Sequence, residues 1–278
     1  MSYFADVNTV SRFISQEDIP DLRKIEPVDT IILCVCSVLL SSETVFETIR
    51  ERPGITKTLV LCGGIGHSTT FIYEAVARHP RFKSIAPEIQ GLPEAQVLLA
   101  IFNRFFAPGF TAGQPPPPPR ILAEDRSATC ATNAIETRKL LEASGVPTPA
   151  SVVVVQDPTM VRRTVACFDR VYEDLPDPPR FVGCPIFVPL VGPGGGDDEL
   201  VYTAPGIDPE LMWGMDRFLD LVMGEYPRLR DDENGYGPNG NHTIVHVDIP
   251  FEVEKAWKGL SEKVTSRRSM KKPIRETE

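Results

Sequence analysis

Short apolar runs closed by turn residues recur along the chain, separated by longer stretches whose apolar positions repeat at helical spacing. The runs at 30–35, 58–62, 120–123 and 151–155 read as strands, and 181–188 is a candidate for a fifth. Helical period covers 43–52, 69–78, 94–106, 133–143 and 159–172. The strand runs do not alternate apolar with polar residues, so both faces are expected to be buried, as in a parallel sheet covered by crossover helices. The pattern predicts an α/β protein with a Rossmann-like, mainly parallel sheet and flanking helices over 1–188. Beyond residue 189 the composition shifts to Gly192-Pro193-Gly194-Gly195-Gly196-Asp197-Asp198, then to helical period at 209–224 and again after Pro250. This predicts a smaller, mostly helical C-terminal subdomain over 189–265. The stretch 108–119 holds five consecutive prolines and is expected to be an extended surface loop. The charged segment 266–278 is expected to be a disordered tail.

Charge and cysteine usage narrow the partners. A net charge of -9 argues against a nucleic-acid or anionic-membrane surface and favours a small-molecule ligand, with any protein partner unspecified. The longest apolar run, 31–40, is too short to cross a bilayer as a helix. Met1 to Gln16 lacks the basic start and apolar stretch of a leader, and the six cysteines lie far apart, so reduced thiols and a cytoplasmic location are expected.

In an open parallel sheet, ligands bind beyond the carboxyl ends of the strands. The second strand runs into Gly63-Gly64-Ile65-Gly66-His67-Ser68-Thr69, the third into Glu124-Asp125-Arg126-Ser127, and the fourth into Gln156-Asp157-Pro158-Thr159-Met160. Glycines let backbone amides approach a ligand, and the following helix offers unpaired N–H groups to an anion, so the turn reads as an anion cradle; a tight turn with a Ser68 or Thr69 helix cap is the structural alternative. The turn is neither a Walker A loop nor a dinucleotide fingerprint, and it lacks the serine elbow of the hydrolases. Glu124 or Asp125 suits a ribose diol or a cation, Ser127 or Asn133 suits a loop or cap position, and Arg162 or Arg163 suits a carboxylate. Cys130, near a helix start, reads as a buried inert thiol. His242 and His246 share a side but have no third ligand spaced to complete a zinc site, so no metal is expected. The charge-dense stretch 224–238 reads as a lid, or equally as a loop held by its own Arg and Asp pairs.

Several segments resemble the domain of unknown function 218 family, in particular its YdcF-like members. They are Gly63-Gly64-Ile65-Gly66-His67-Ser68-Thr69-Thr70-Phe71, Val155-Gln156-Asp157-Pro158-Thr159-Met160 with Arg162-Arg163-Thr164, Pro227-Arg228-Leu229-Arg230-Asp231-Asp232 with Gly235-Tyr236-Gly237-Pro238, and Val245-His246-Val247-Asp248 with Trp257. The resemblance implies a Rossmann-like domain with a smaller helical part and S-adenosylmethionine as ligand. It marks Glu94, Glu124, Ser127, Asn133 and Arg162 as polar motif positions. Thr132 departs from the glutamate usual before the asparagine, which removes an acid role there, and the proline-rich insertion has no counterpart.

Together these readings give an S-adenosylmethionine-binding protein that acts on or with the sulfonium, by methyl or aminocarboxypropyl transfer or by rearranging the ligand. A non-catalytic metabolite sensor or carrier and a phosphate-ester hydrolase or transferase are the alternatives. Gly63, Gly64, Gly66, His67, Ser68 and Thr69 are expected around the anionic end of the ligand, Glu124 and Asp157 toward its ribose or sulfonium, and Arg162 with Arg230 as clamps. Glu94, Ser127, Asn133, Gln156, Met160, Asp231 and Tyr236 complete the expected binding set, and His67, Glu124 and Asp157 are the catalytic candidates.

Overall fold

The computed structural model describes residues 2–110, 116–196, 199–203 and 207–270, with side chains described as far as Lys263. Five strands, β1 (Val28–Cys34), β2 (Thr56–Cys62), β3 (Arg120–Glu124), β4 (Ser151–Val155) and β5 (Arg180–Cys184), form one sheet. Its order is β3-β2-β1-β4-β5 and every pairing is parallel. The fold is therefore the expected Rossmann-like α/β architecture. The strand order reverses between β1 and β4, and that crevice is where such a sheet opens to a ligand.

Burial on both faces explains the unbroken apolar runs. Ile31, Leu33, Leu59, Leu61, Val153 and Val155 pack against α2 (Leu40–Glu51), α3 (Thr69–Arg78) and α4 (Glu94–Phe105). Ile32, Val60, Val152 and Val154 face the opposite layer, with α5 (Cys130–Ala143) and α6 (Val161–Tyr172). The alternation follows from the period of two along a strand.

A helix at the chain start, α1 (Tyr3–Ser15), was not among the helices expected from periodicity. Tyr3, Val7, Val10 and Ile14 fall on one helical face and are buried. That face joins the α6 layer and the C-terminal helices α7 (Met215–Leu229) and α8 (Phe251–Met270). The C-terminal part thus shares its core with the sheet domain, through Trp213, Phe218, Val222, Val253, Ala256 and Leu260. It also holds an antiparallel hairpin, β6 (Val191–Pro193) with β7 (Leu200–Tyr202), in a region expected to be mostly helical. The backbone of α8 reaches Met270, into the segment expected to be a disordered tail; 271–278, and 111–115 of the proline-rich stretch, lie outside the described residues.

Helix α7 runs on past Gly224 and contains Pro227. Proline has no N–H, so the carbonyl four residues earlier, on Met223, loses its helical donor. Trp257 Nε1 of α8 donates to that oxygen at 3.1 Å, and the Trp257 ring stacks on Tyr226 with centroids 4.7 Å apart. The proline is therefore accommodated by a neighbouring helix, which holds α7 over the sheet edge.

Candidate functional site

A cleft of about 940 Å³ opens at the reversal point, between the ends of β1 and β4. Its floor carries Cys36 and Ser37 after β1, and Gln156 and Asp157 after β4. One wall is the glycine turn with the start of α5, and α7 with the loop after it forms the roof. Arg217, Asp220, Leu221, Gly224, Glu225 and Arg228 recur at helical spacing along the lining face of α7.

In the glycine turn, which the sequence suggests as an anion cradle, four amides are already engaged within the chain. Gly63 N–H donates to Glu124 O at 2.9 Å, Gly64 N–H to Ser127 O at 2.8 Å, Gly66 N–H to Thr69 Oγ1 at 2.8 Å and Thr69 N–H to Gly66 O at 3.3 Å. These amides are spent on the chain itself. The glycines serve close packing: a Cβ on Gly64 would lie 2.3 Å from Ser127 O, and Gly63 adopts a φ of +151°. Neither residue borders the cleft, whereas Gly66, His67 and Ser68 do. Ser68 is the N-cap of α3 without a side-chain capping bond, and Thr69 is directed to Glu94, so neither hydroxyl caps the helix.

Glu124 turns toward its own loop. It ends β3, is buried, and accepts Arg126 N–H at 2.7 Å, Ser127 N–H at 2.9 Å, Ser127 Oγ–H, and the Cys62 thiol at 3.1 Å. A carboxylate with four donors organises its own loop, and Glu124 does not border the cleft. Ser127, its partner, does. The start of α5 is capped by a reciprocal pair: Thr129 Oγ1 accepts Thr132 N–H at 3.2 Å, and Thr132 Oγ1 accepts Thr129 N–H at 2.9 Å. Thr132 thus has a capping role, and Asn133 does not cap. The Asn133 carboxamide lines the cleft and has no hydrogen-bond partner among the described residues.

Adjacent arginines on α6 part company. Arg162 Nε donates to Phe13 O and its guanidinium lies 4.1 Å over the Phe13 ring, so it fastens α1 and is not a clamp. Arg163 faces the cleft and makes a bidentate pair with Glu225, Nε to Oε2 at 2.6 Å and Nη2 to Oε1 at 2.9 Å. Arg228 joins that carboxylate at 3.3 Å. Arg217 stacks on Phe71 at 3.6 Å, and its buried Nε has no partner among the described residues. Glu225, Arg228 and Arg217 were not among the expected site residues. Their signal was the charge-dense end of α7, whose lining face shows only once the helix is docked.

The other expected residues divide. Arg230 pairs with Asp232 at 2.5 Å, and Asp231 holds Asn239 N–H at 2.6 Å and His246 Nδ1 at 2.7 Å. Both shape the loop and neither borders the cleft. That loop is tied to α6 by Val245 N–H donating to Ala166 O at 3.2 Å, and it presents Tyr236, Asn241 and Thr243 to the cleft. Met160 borders the cleft, as does Gln156, whose Oε1 accepts Asp157 N–H at 2.7 Å. Asp157 Oδ1 takes the Thr159 amide at 3.0 Å and hydroxyl at 2.7 Å, leaving Oδ2 to the Cys36 thiol at 3.4 Å. Burial raises Asp157 above the ordinary carboxylate range, and burial with the nearby Asp157 charge holds Cys36 as the thiol. Glu94, first residue of α4, is pushed up to about 7 by burial, which outweighs the opposing Thr69 hydrogen bond.

Carboxyl groups and guanidiniums therefore line one cavity, and among the described residues no group of three or more metal-ligating side chains gathers. Among those residues no helix is long and apolar enough to cross a membrane. The chain belongs to the class of doubly wound α/β proteins with a small-molecule-sized cleft at the strand-order reversal. No family model matches it.

Proposed function

We propose that the chain binds S-adenosylmethionine in this cleft and uses its sulfonium, by transferring a methyl or aminocarboxypropyl group or by rearranging the ligand. The observation that carries the reading is the mixed charge of the cavity. Glu94 and Asp157 line it from the sheet side, Arg163 from α6, and Arg217, Asp220, Glu225 and Arg228 from α7. A zwitterionic ligand with a positive sulfur needs both signs within one cavity, and a volume of about 940 Å³ suits a nucleoside-sized molecule. The resemblance to YdcF-like sequences supports the same ligand.

The test is calorimetric titration of the protein with S-adenosylmethionine, repeated on Asn133→Leu. Because the Asn133 carboxamide is unpartnered, the variant should fold normally and bind about tenfold more weakly, the loss of one or two ligand hydrogen bonds. No binding by the unaltered protein, with heat on adding a nucleotide or phosphosugar, would overturn the reading. Mass spectrometry of the ligand after incubation with cell extract separates an enzyme from a sensor.

A further inference from the structure

The glycine turn seats a carboxyl group where the sequence suggests an anion. The backbone of α4 docks on it, with Glu94 N–H donating to Gly64 O at 3.1 Å and Ala95 N–H to Gly63 O at 2.7 Å. The Glu94 side chain then lies over Gly63, so closely that a Cβ there would meet Glu94 Oε2 at 2.8 Å and its Cβ at 3.0 Å. Gly63 is thus required by Glu94. One carboxyl oxygen is fixed by a relay: Gly66 N–H donates to Thr69 Oγ1 at 2.8 Å, and the Thr69 hydroxyl donates to Glu94 Oε1 at 2.9 Å. The other oxygen, Oε2, has no hydrogen-bond partner among the described residues, and the side chain borders the cleft.

The ionisable surroundings leave that oxygen without a counter-ion. Among the described residues no Lys or Arg forms an ion pair with Glu94. From α3, the Tyr73 phenol donates to Leu92 O at 2.6 Å and stays protonated, raised by burial and by the Glu94 charge. The cleft lining also holds His67 on the turn, and Cys36 with Asp157, which are bonded to each other. The Arg217 guanidinium, on α7, stacks on the Phe71 ring and makes no ion pair with Glu94. A carboxyl group with one oxygen fixed and the other open to a cavity, buried and without an ion-pair partner among the described residues, is completed either by a proton or by a positive centre of the ligand.

We infer that Glu94 receives the cationic centre of the ligand, and that docking of the cation expels the carboxyl proton to solvent. The inference rests on the proposed ligand occupying the cleft. The O–H bond of the neutral carboxyl breaks, its electron pair stays on oxygen, and the carboxylate faces an onium group without covalent change in the ligand. With the free carboxyl half-protonated at about pH 7, binding at pH 6 should release close to one proton, and affinity should rise about tenfold between pH 6 and pH 7.5.

The experiment is calorimetry with S-adenosylmethionine and with S-adenosylhomocysteine at pH 6, each in two buffers of different ionisation enthalpy, so that buffer-dependent heat counts the protons. Release with the sulfonium ligand alone assigns the sulfonium to Glu94, and release with both assigns the shared α-ammonium; either supports the inference. Glu94→Gln keeps the size of the group and the Thr69 contact, so its thermal midpoint should stay within the range of the parent while proton release and the pH-dependent gain disappear. Binding without proton release, or release that survives in Glu94→Gln, would overturn the role of Glu94 and leave the ligand reading standing. Absence of heat with either ligand in any buffer would instead defeat the ligand reading, and this inference with it.

Discussion

The glycines of the turn make unequal demands, and Gly64 gives the sharpest test. Gly64 and Gly66 both lie outside the left-handed φ region, so alanine at either position meets a steric cost alone. At Gly64 the new Cβ would sit 2.3 Å from Ser127 O, 2.8 Å from Asp125 O and 2.9 Å from Arg126 C, all of them backbone. The β3–α5 loop would have to retreat, breaking the Gly64 N–H to Ser127 O bond of 2.8 Å. Overpacking of this kind costs about 1–3 kcal/mol and the lost hydrogen bond about 1 kcal/mol, giving a destabilisation of about 2–4 kcal/mol for Gly64→Ala. At Gly66 the nearest atom would be Ala128 O at 3.3 Å, a displacement of a few tenths of an ångström. That cost is nearly offset by the reduced freedom of the unfolded chain, so Gly66→Ala should stay within about 1 kcal/mol of the parent. Urea unfolding followed by fluorescence of Trp213 and Trp257 measures both. Equal losses at the two positions, or a Gly64→Ala variant within about 0.5 kcal/mol of the parent, would refute the packing role assigned to the turn.

Two further outcomes follow from the ion pairs. Glu225→Ala should destabilise the fold by about 3–5 kcal/mol in urea, because Arg163, with 11% of its side chain exposed, would be left charged and unpaired. Arg163→Met combined with Glu225→Leu should recover most of that loss, and a single-variant cost below about 1 kcal/mol would show that the pair is not buried as described. Asp29 is held down to about 2, chiefly by Lys57 Nζ at 2.6 Å, with the Ala150 and Ser151 amides and the Ser151 hydroxyl adding to it. A depressed carboxyl stabilises the fold above its unfolded value of 3.8 and loses that contribution as pH falls toward 2. Thermal unfolding between about pH 5 and pH 2 should therefore show a shallower acid decline for Asp29→Asn, a difference of about 1–2 kcal/mol after allowance for its partial exposure. Parallel profiles would contradict it.

Much of the fold was legible because a parallel sheet buries both faces of its strands. The apolar runs at 58–62 and 151–155 end where β2 and β4 end, and α3 spans the residues its periodicity predicts. Helix α1 escaped, since its buried residues Tyr3, Val7, Val10 and Ile14 are separated by polar ones and follow no strand. The hairpin of β6 and β7 escaped as well: three residues per strand carry no period to read.

The candidate site was legible as a set of strand ends, and less so residue by residue. Arg162 and Arg163 are neighbours in sequence, yet a step of about 100° around a helix sends one to Phe13 and the other into the cleft. Pattern alone does not fix which way α6 is turned. Glu225 lies 62 positions from Arg163, and only the docking of α7 joins them.

The layered α/β architecture and the edge at which polar residues gather were written in the sequence, because hydrophobic periodicity and the turn residues that close each apolar run follow from local chain geometry. Tertiary structure decided which groups remain open at that edge. It spends the amides of Gly63 and Gly64 on the β3 loop, fills Glu124 with four donors, and leaves Glu94 Oε2 and the Asn133 carboxamide facing a cavity. A donor or acceptor is available to a ligand only if no other part of the chain reaches it first, and that is settled by long-range packing.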